Sequence, residues 1–156
     1  MTNKLTVLAA IAGAALFLAA APAANSGAKK QHVTITTPKS GIDNFLLVTR
    51  GSGPIQRDSG TASYCCWSQK FITRNGQTVE VNDPITTLRS KKGELVLQER
   101  IEWADAGNGY SIGTGTWKVI KGTGAYKNVT GTGRSASSWL PSGPVSWRND
   151  GFLTSR

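Results

Sequence analysis

The feature that most constrains the fold of this chain is a glycine repeat in its second half. Gly-Thr-Gly triplets occur at residues 113–115, 122–124 and 131–133, at a spacing of nine residues. That spacing is the length of one β-strand plus a turn, and glycine within a strand permits close backbone approach, bulges and sharp curvature. A phosphate-binding loop would instead need Gly-Lys-Ser/Thr at the start of a helix, and no helical pattern follows. The repeat therefore predicts consecutive, strongly curved strands.

Hydrophobicity alternates with a period of two along most of the remaining chain, as is typical of strands. The clearest strand covers 94–103, and Asn75-Gly76 is a hairpin signal. No segment has the 3.6-residue period of an amphipathic helix. Short, regularly spaced strands predict one all-β domain, a sandwich or a barrel, and a closed barrel also removes exposed sheet edges. Strands are expected at 32–37, 45–49, 62–73, 78–81, 85–88, 94–103, 110–120, 130–140 and 145–153.

The N-terminus has the organisation of a secretory signal peptide. Lys4 precedes an uncharged apolar run over 5–21, and small residues flank Pro22. A run of this length approaches that of a membrane anchor, but its alanine-rich sequence and its Ala-Pro-Ala-Ala end favour a cleaved signal. We predict cleavage near Ala23 or Ala24, and therefore a secreted protein, extracellular or periplasmic.

The rest of the chain is predicted to be a basic protein of one domain. The signal peptide would cover 1–24, a flexible leader 25–31 and a single β-barrel domain 32–156. Without the signal, 17 Lys and Arg face 9 Asp and Glu, a side-chain charge of +8. This charge suits an anionic envelope surface, and because the basic residues are spread along the chain, no specific nucleic-acid site is predicted. No further apolar stretch reaches membrane-spanning length, so no transmembrane segment is expected after cleavage.

A longer motif around the repeat resembles a known family. Residues 113–133 read Gly-Thr-Gly-Thr-Trp-Lys-Val-Ile-Lys-Gly-Thr-Gly-Ala-Tyr-Lys-Asn-Val-Thr-Gly-Thr-Gly, and within them 121–126 form a Gly-Thr-Gly-x-aromatic element closed by Gly131 and Gly133. This pattern is similar to the signature of the allene oxide cyclase barrel superfamily, which includes plant dirigent proteins and small secreted bacterial proteins of unknown role. The bacterial branch is the nearest match, and a looser similarity extends over 88–153.

The resemblance implies an antiparallel eight-stranded β-barrel, calycin-like in shape, with a central cavity. Family members with known roles act on, or orient, small apolar molecules in that cavity, and the cyclases use a carboxylate, a bound water and aromatic side chains. Only the structural Gly-Thr-Gly-x-aromatic element carries over to this chain, so an enzymatic role would rest on fold analogy. Barrels of this family often form oligomers, so the resemblance is compatible with a homo-oligomer. No cofactor and no metal is implied.

Glu99 is the candidate catalytic residue. In the predicted strand 94–103 it shares a face with Leu97, Ile101 and Trp103, because side chains two residues apart lie on the same side of a strand. If this apolar face points into the barrel, Glu99 is a buried carboxylate, and burial would make it a candidate acid or base. The alternative is a structural glutamate, paired with a basic residue or hydrated at the barrel mouth.

Six further residues are candidate ligand contacts. Arg50 shares a strand face with Leu46 and Val48. If that face points inward, Arg50 would neutralise Glu99 or bind an anionic head group of a ligand. If Arg50 instead lies at the strand end, its side chain would be in water. The other five are aromatic or apolar side chains that would line a cavity, although core packing is the stronger interpretation for them. The set is Arg50, Trp67, Leu97, Trp103, Trp117 and Tyr126.

The predicted strand 62–73 has an aromatic face. Trp67 and Phe71 have the same parity, and two large aromatic residues on one side of a strand indicate a packed face. Tyr64 has the opposite parity. We therefore expect Trp67 and Phe71 to pack and Tyr64 to point outward.

Two adjacent cysteines and one histidine limit the available chemistry. Cys65 and Cys66 cannot build a tetrahedral zinc site, and His32 is the only imidazole. In a regular strand the two cysteines point to opposite faces, and a bond between them closes a strained ring. We therefore expect one buried and one exposed thiol, or an intermolecular disulfide.

Three hypotheses about function follow from these features. The first is an exported barrel that binds a small apolar or aromatic ligand in its cavity. The second is a cyclase or isomerase that acts in that cavity with Glu99 as acid or base. The third is a non-catalytic envelope or protein-interaction module with a packed barrel and a basic exterior. The sequence favours a non-enzymatic role, and an open cavity would separate the first two hypotheses from the third.

Overall fold

The computed structural model describes residues 27–37, 43–66, 68–141 and 143–155, without the side chains of 143–145. The predicted signal peptide and Trp67 lie outside these ranges. The strands are β1 (Lys29–Thr36), β2 (Asn44–Arg50), β3 (Asp58–Cys65), β4 (Gln69–Arg74), β5 (Gln77–Asn82), β6 (Ile85–Ser90), β7 (Gly93–Gly107), β8 (Tyr110–Gly122), β9 (Thr130–Leu140) and β10 (Gly143–Ser155). A short 3-10 helix, Gly124–Tyr126, connects β8 to β9. Within the described ranges no helix has the length and hydrophobicity to cross a membrane.

Eight of the strands form a closed antiparallel barrel, which confirms the predicted fold. Their order is β7-β6-β3-β2-β1-β10-β9-β8, and pairing between β7 and β8 closes the circle. β7 has 15 residues, and its first part pairs with β6. Its segment 101–103 pairs with β5, and β5 and β4 form a hairpin outside the barrel. The turn of this hairpin is the predicted Asn75-Gly76, both with positive φ.

Buried and more exposed residues alternate along β7, and the buried ones face the inside of the barrel. Leu95, Leu97, Glu99 and Ile101 are buried, and the residues between them are more exposed. The apolar face predicted for this strand therefore points inward. A carboxylate lies on it among aliphatic side chains.

Gly133 of the repeat and Gly151 of β10 make room for Trp117 in the packed core of the barrel. Only 2% of Trp117 is exposed, and Gly133 is its partner across the β8–β9 pairing. A Cβ placed on Gly133 would lie 2.5 Å from the indole Nε1, and one on Gly151 would lie 2.7 Å from Cζ2. These distances are too short for a real Cβ atom, so only glycine fits. At Gly133 the repeat thus serves close packing of a strand against an indole.

The predicted strand 62–73 is two strands instead of one. β3 ends at Cys65, and Cys66 has a φ of 59°, so the chain leaves the extended conformation before β4 begins. Cys65 and Cys66 form a vicinal disulfide, with their Cα atoms 3.7 Å apart. The expectation of separate thiols is wrong because Cys66 lies outside the strand, where side chains no longer alternate.

The same break reverses the predicted faces of this segment. Tyr64 points inward beside Ala62, whereas Phe71 lies on the outer hairpin and is 64% exposed. Parity predicts a shared face only along an unbroken strand, so the prediction is wrong for Tyr64 before residue 66 and for Phe71 after it, while Trp67 lies outside the described residues.

The first strand begins earlier than predicted. β1 starts at Lys29, so residues 29–31, assigned to a flexible leader, belong to the barrel. Backbone pairing with β10 begins at Lys29, opposite Ser155. The buried Gln31 side chain also ties this segment to the loop after β2 through two hydrogen bonds with the backbone of Ile55. Gln31 Nε2 donates to the carbonyl oxygen of Ile55 at 3.3 Å, and the Ile55 N–H donates to Gln31 Oε1 at 2.8 Å.

Candidate functional site

One end of the barrel is packed shut. The Tyr126 hydroxyl, on the 3-10 helix, donates a hydrogen bond to Asp58 Oδ2 at 2.5 Å, and Ser90 Oγ donates to the same oxygen at 2.6 Å. Burial raises the pKa of the Tyr126 phenol, and the hydrogen bond to Asp58 and its negative charge raise it further. Tyr126 therefore remains a donor at neutral pH, and it holds the helix against the end of the barrel.

Replacing Tyr126 with phenylalanine is expected to lower the free energy of unfolding by about 1–3 kcal/mol, because the buried Asp58 loses a donor. Urea denaturation followed by circular dichroism measures the change. Tyr110→Phe is the control, since Tyr110 is 45% exposed. Equal stabilities for the two variants would contradict the role given to the Tyr126–Asp58 hydrogen bond.

The other end of the barrel opens into a cavity of about 780 Å³. This volume lies within the usual range for small-molecule sites. Barrel strands supply most of its wall, and the outer hairpin extends it with Glu80 and Asn82. The lining residues are Asp43, Ala62, Ser63, Tyr64, Glu80, Asn82, Pro84, Glu99, Ile101, Trp103, Ser111, Ser137, Trp139 and Trp147.

Glu99 is the most buried carboxylate of the cavity, with 1% of its surface exposed. Its Oε1 accepts hydrogen bonds from Asn149 Nδ2 at 2.6 Å, Trp147 Nε1 at 2.9 Å and Ser135 Oγ at 3.3 Å. Its Oε2 accepts one from Thr86 Oγ1 at 2.7 Å. A buried carboxylate is costly unless it is hydrogen-bonded, and these four donors, from β6, β9 and β10, fix its position.

Arg50 does not neutralise Glu99. It is exposed on the outer surface, where it pairs in register with His32 of β1. The inward residues of β2 are Phe45 and Leu47. Arg50 does share a face with Leu46 and Val48, but that face points outward, so the inward alternative is wrong and Arg50 lies in solvent at the strand end. Among the described residues, no ion pair within 4.0 Å involves Glu99.

The remaining predicted contacts fall in different parts of the barrel. Trp103 lines the cavity. Leu97 and Trp117 belong to the packed core, Tyr126 lies at the closed end, and Trp67 is outside the described residues. Of the predicted site residues, the fold brings Glu99 and Trp103 together at the cavity. The other described candidates lie away from the cavity lining.

Two aromatic residues of the site were not among the predicted contacts. Tyr64 and Trp147 meet edge to face, with ring centroids 6.3 Å apart. Burial raises the pKa of the Tyr64 phenol, and the negative charges of Glu99 and Asp43 raise it further. A signal for Trp147 was present in the sequence, because a buried indole N–H needs an acceptor and Glu99 was the carboxylate predicted to face inward.

The described part of the chain brings no three His, Cys, Asp or Glu side chains together in a way that could hold a metal ion. In comparisons with protein-family models, with curated proteins and with solved structures, the chain matches none. Its class is therefore defined by the fold and the site: an eight-stranded antiparallel β-barrel with two outer strands, packed at one end and open at the other.

Proposed function

We propose that this protein binds a small apolar or aromatic molecule in the open end of its barrel. The observation that carries the proposal is the cavity of about 780 Å³, whose wall includes Tyr64, Trp103, Trp139 and Trp147. Aromatic walls supply large contact areas and stacking surfaces. Glu99 adds a fixed polar group, and a few such groups among apolar walls orient a ligand.

Family and location are part of this proposal. The Gly-Thr-Gly-x-aromatic element supports membership of the allene oxide cyclase barrel superfamily, because its residues shape the closed end. Gly124 has a φ of 58°, a Cβ on Gly122 would clash with the backbone of Tyr126, and Tyr126 itself is buried. The signal-like N-terminus supports secretion.

A blocked cavity tests the binding proposal. The uncharged dye N-phenyl-1-naphthylamine is expected to gain fluorescence on binding the protein. Ser137→Trp places an indole in space that the dye would occupy, and is expected to weaken binding about tenfold, a loss of about 1.4 kcal/mol. Thr132→Trp is the control on the same strand, because Thr132 is exposed on the outside. Circular dichroism checks the fold of each variant, and Ser111→Trp is a second variant that fills the cavity from β8. A dye that binds all three variants alike, or that binds none including the parent, would refute the proposal.

A second candidate function is a cyclase or isomerase with Glu99 as acid or base. It is favoured by the position of Glu99 on the cavity wall and by Oε2, which accepts one hydrogen bond from the described residues and so retains acceptor capacity. Under this proposal Glu99→Gln abolishes turnover of a bound substrate while binding persists. Retained turnover in that variant would exclude Glu99 as the acid or base.

A third candidate is an envelope module that docks on an anionic surface. The observation in its favour is the charge at the closed end, where the acids of the described chain are the buried Asp58 and Glu94, which is paired with Arg89 at 2.7 Å. Sedimentation with phosphatidylglycerol vesicles tests it, and Lys91→Glu with Lys92→Glu should release the protein. The cations at or near this end are Lys29, Lys30, Arg50, Arg57, Lys91, Lys92, Lys121 and Lys127.

A further inference from the structure

The charges on the cavity wall have the opposite sign to the charge of the whole chain. Three of the lining residues are carboxylic acids, Asp43, Glu80 and Glu99, and no Lys, Arg or His is among the described residues of the lining. The chain as a whole carries a formal charge of +9. These acidic side chains would not strengthen the binding of a neutral or anionic molecule, whereas they would attract a cationic ligand.

In the part of the chain that the structure describes, no ion pair within 4.0 Å involves Asp43, Glu80 or Glu99. The acids that do form such ion pairs are Asp83, Glu94, Glu102 and Asp150. Asp43 is exposed, whereas Glu80 is partly buried and Glu99 is buried, and buried or partly buried charges are normally paired. Because Glu99 is 1% exposed, a positively charged group inside the cavity would supply the missing partner.

Hydrogen-bond acceptors are also in excess on the hairpin side of the cavity. Asn82 Nδ2 donates to Glu80 Oε1 at 3.0 Å, while Asn82 Oδ1 is buried with no hydrogen-bond partner among the described residues. An unpartnered buried acceptor is costly. A ligand N–H would satisfy it and would be attracted to Glu80 beside it.

The aromatic wall favours the same kind of ligand. The faces of Trp103, Trp139 and Trp147 carry the negative end of the ring quadrupole and attract ammonium groups. In the same wall, burial raises the pKa of Tyr64, and the negative charges of Glu99 and Asp43 raise it further. Aromatic faces and carboxylates therefore create a negative potential in the same open cavity.

We propose that the ligand is an organic cation, an amine or quaternary ammonium group attached to an apolar or aromatic body. This inference rests on the proposed function, that the cavity binds a small molecule, and specifies the charge of that molecule. The body would contact Ala62, Pro84 and Ile101 together with the indoles, and the cationic group would be balanced by the carboxylates.

A matched series of probes tests the sign of the charge. The compounds are 4-phenylbutylamine, 4-phenylbutan-1-ol and 4-phenylbutanoate, which share one body and carry a positive, neutral or negative head at pH 7. We expect the amine to displace N-phenyl-1-naphthylamine from the full mature protein about tenfold more tightly than the alcohol, as one desolvated cation–π contact plus a carboxylate would give. The acid is expected to bind more weakly than the alcohol.

Two variants assign the preference to the cavity acids. Glu80→Gln and Glu99→Gln are each expected to lower the amine affinity severalfold more than the alcohol affinity, and so to reduce the amine-to-alcohol affinity ratio. Glu94→Gln is the control, because this acid lies outside the cavity lining and pairs with Arg89. A ratio that falls equally in all three variants would place the effect in the overall charge of the protein and overturn the inference.

The series also separates this inference from the proposed function. If the alcohol or the acid displaces the dye as well as the amine does, the cation preference is refuted while the cavity remains a binding site. If neither the dye nor any probe binds, the proposed function fails, and the inference fails with it.

Discussion

Replacing Trp117 with alanine is expected to lower the free energy of unfolding by about 3–5 kcal/mol, the usual cost of removing a buried indole. Trp117 is 2% exposed, and it lies against Gly133 and Gly151. Glycines have no side chains that could move into the vacated space, so the variant should keep most of the resulting void. Equilibrium urea denaturation measures the loss.

Trp139→Ala is the matched control for this variant. Trp139 is also an indole on a barrel strand, but 54% of it is exposed, so its removal should cost less than about 1 kcal/mol. Similar losses for the two variants would mean that Trp117 does not occupy a packed centre of the barrel, and the account of the glycine repeat would then be wrong.

Replacing Glu99 with leucine is expected to cost about 3 kcal/mol or more, because it strands the N–H groups of Trp147 and Asn149 without an acceptor, at about 1–3 kcal/mol each. Both groups can only donate through these atoms, and both now bond to Glu99 Oε1. Thermal and urea denaturation of the purified variant measure the effect.

Glu99→Gln is the informative comparison. Glutamine retains a carbonyl oxygen at the position of Oε1 and should therefore lose much less stability than leucine. The order of stabilities expected is parent, then Glu99→Gln, then Glu99→Leu. A leucine variant as stable as the parent would contradict the network, since it would mean that the cost of burying the carboxylate exceeds the value of its four hydrogen bonds.

The barrel could be predicted because its signals are local. A period of two along β7, the Asn75-Gly76 turn and the spacing of the Gly-Thr-Gly triplets each depend on a few neighbouring residues. Parity within the unbroken strand β7 correctly placed Glu99 with Leu97 and Ile101. The same argument failed for Tyr64 and Phe71, because Cys66 interrupts the strand between them.

The composition of the site could be predicted only in part, because closure of the barrel brings distant strands together. Glu99 contacts Trp147 and Asn149, which lie 48 and 50 residues away in the sequence. The alternation along one strand shows which of its residues face inward, but not which residues of other strands lie at the same level along the barrel axis. Arg50 shows the same limit, since its strand offered two alternating faces of similar hydrophobicity and the inward one is that of Phe45 and Leu47.

Binding of a small molecule at the open end of the barrel is tested by the native mass of the protein, purified gently from the cells that make it. We expect a complex heavier than the polypeptide, with the extra mass lost on denaturation and carrying a positively charged group when it is identified. Repeated preparations that contain only the bare polypeptide, together with no binding of the dye, would contradict this expectation.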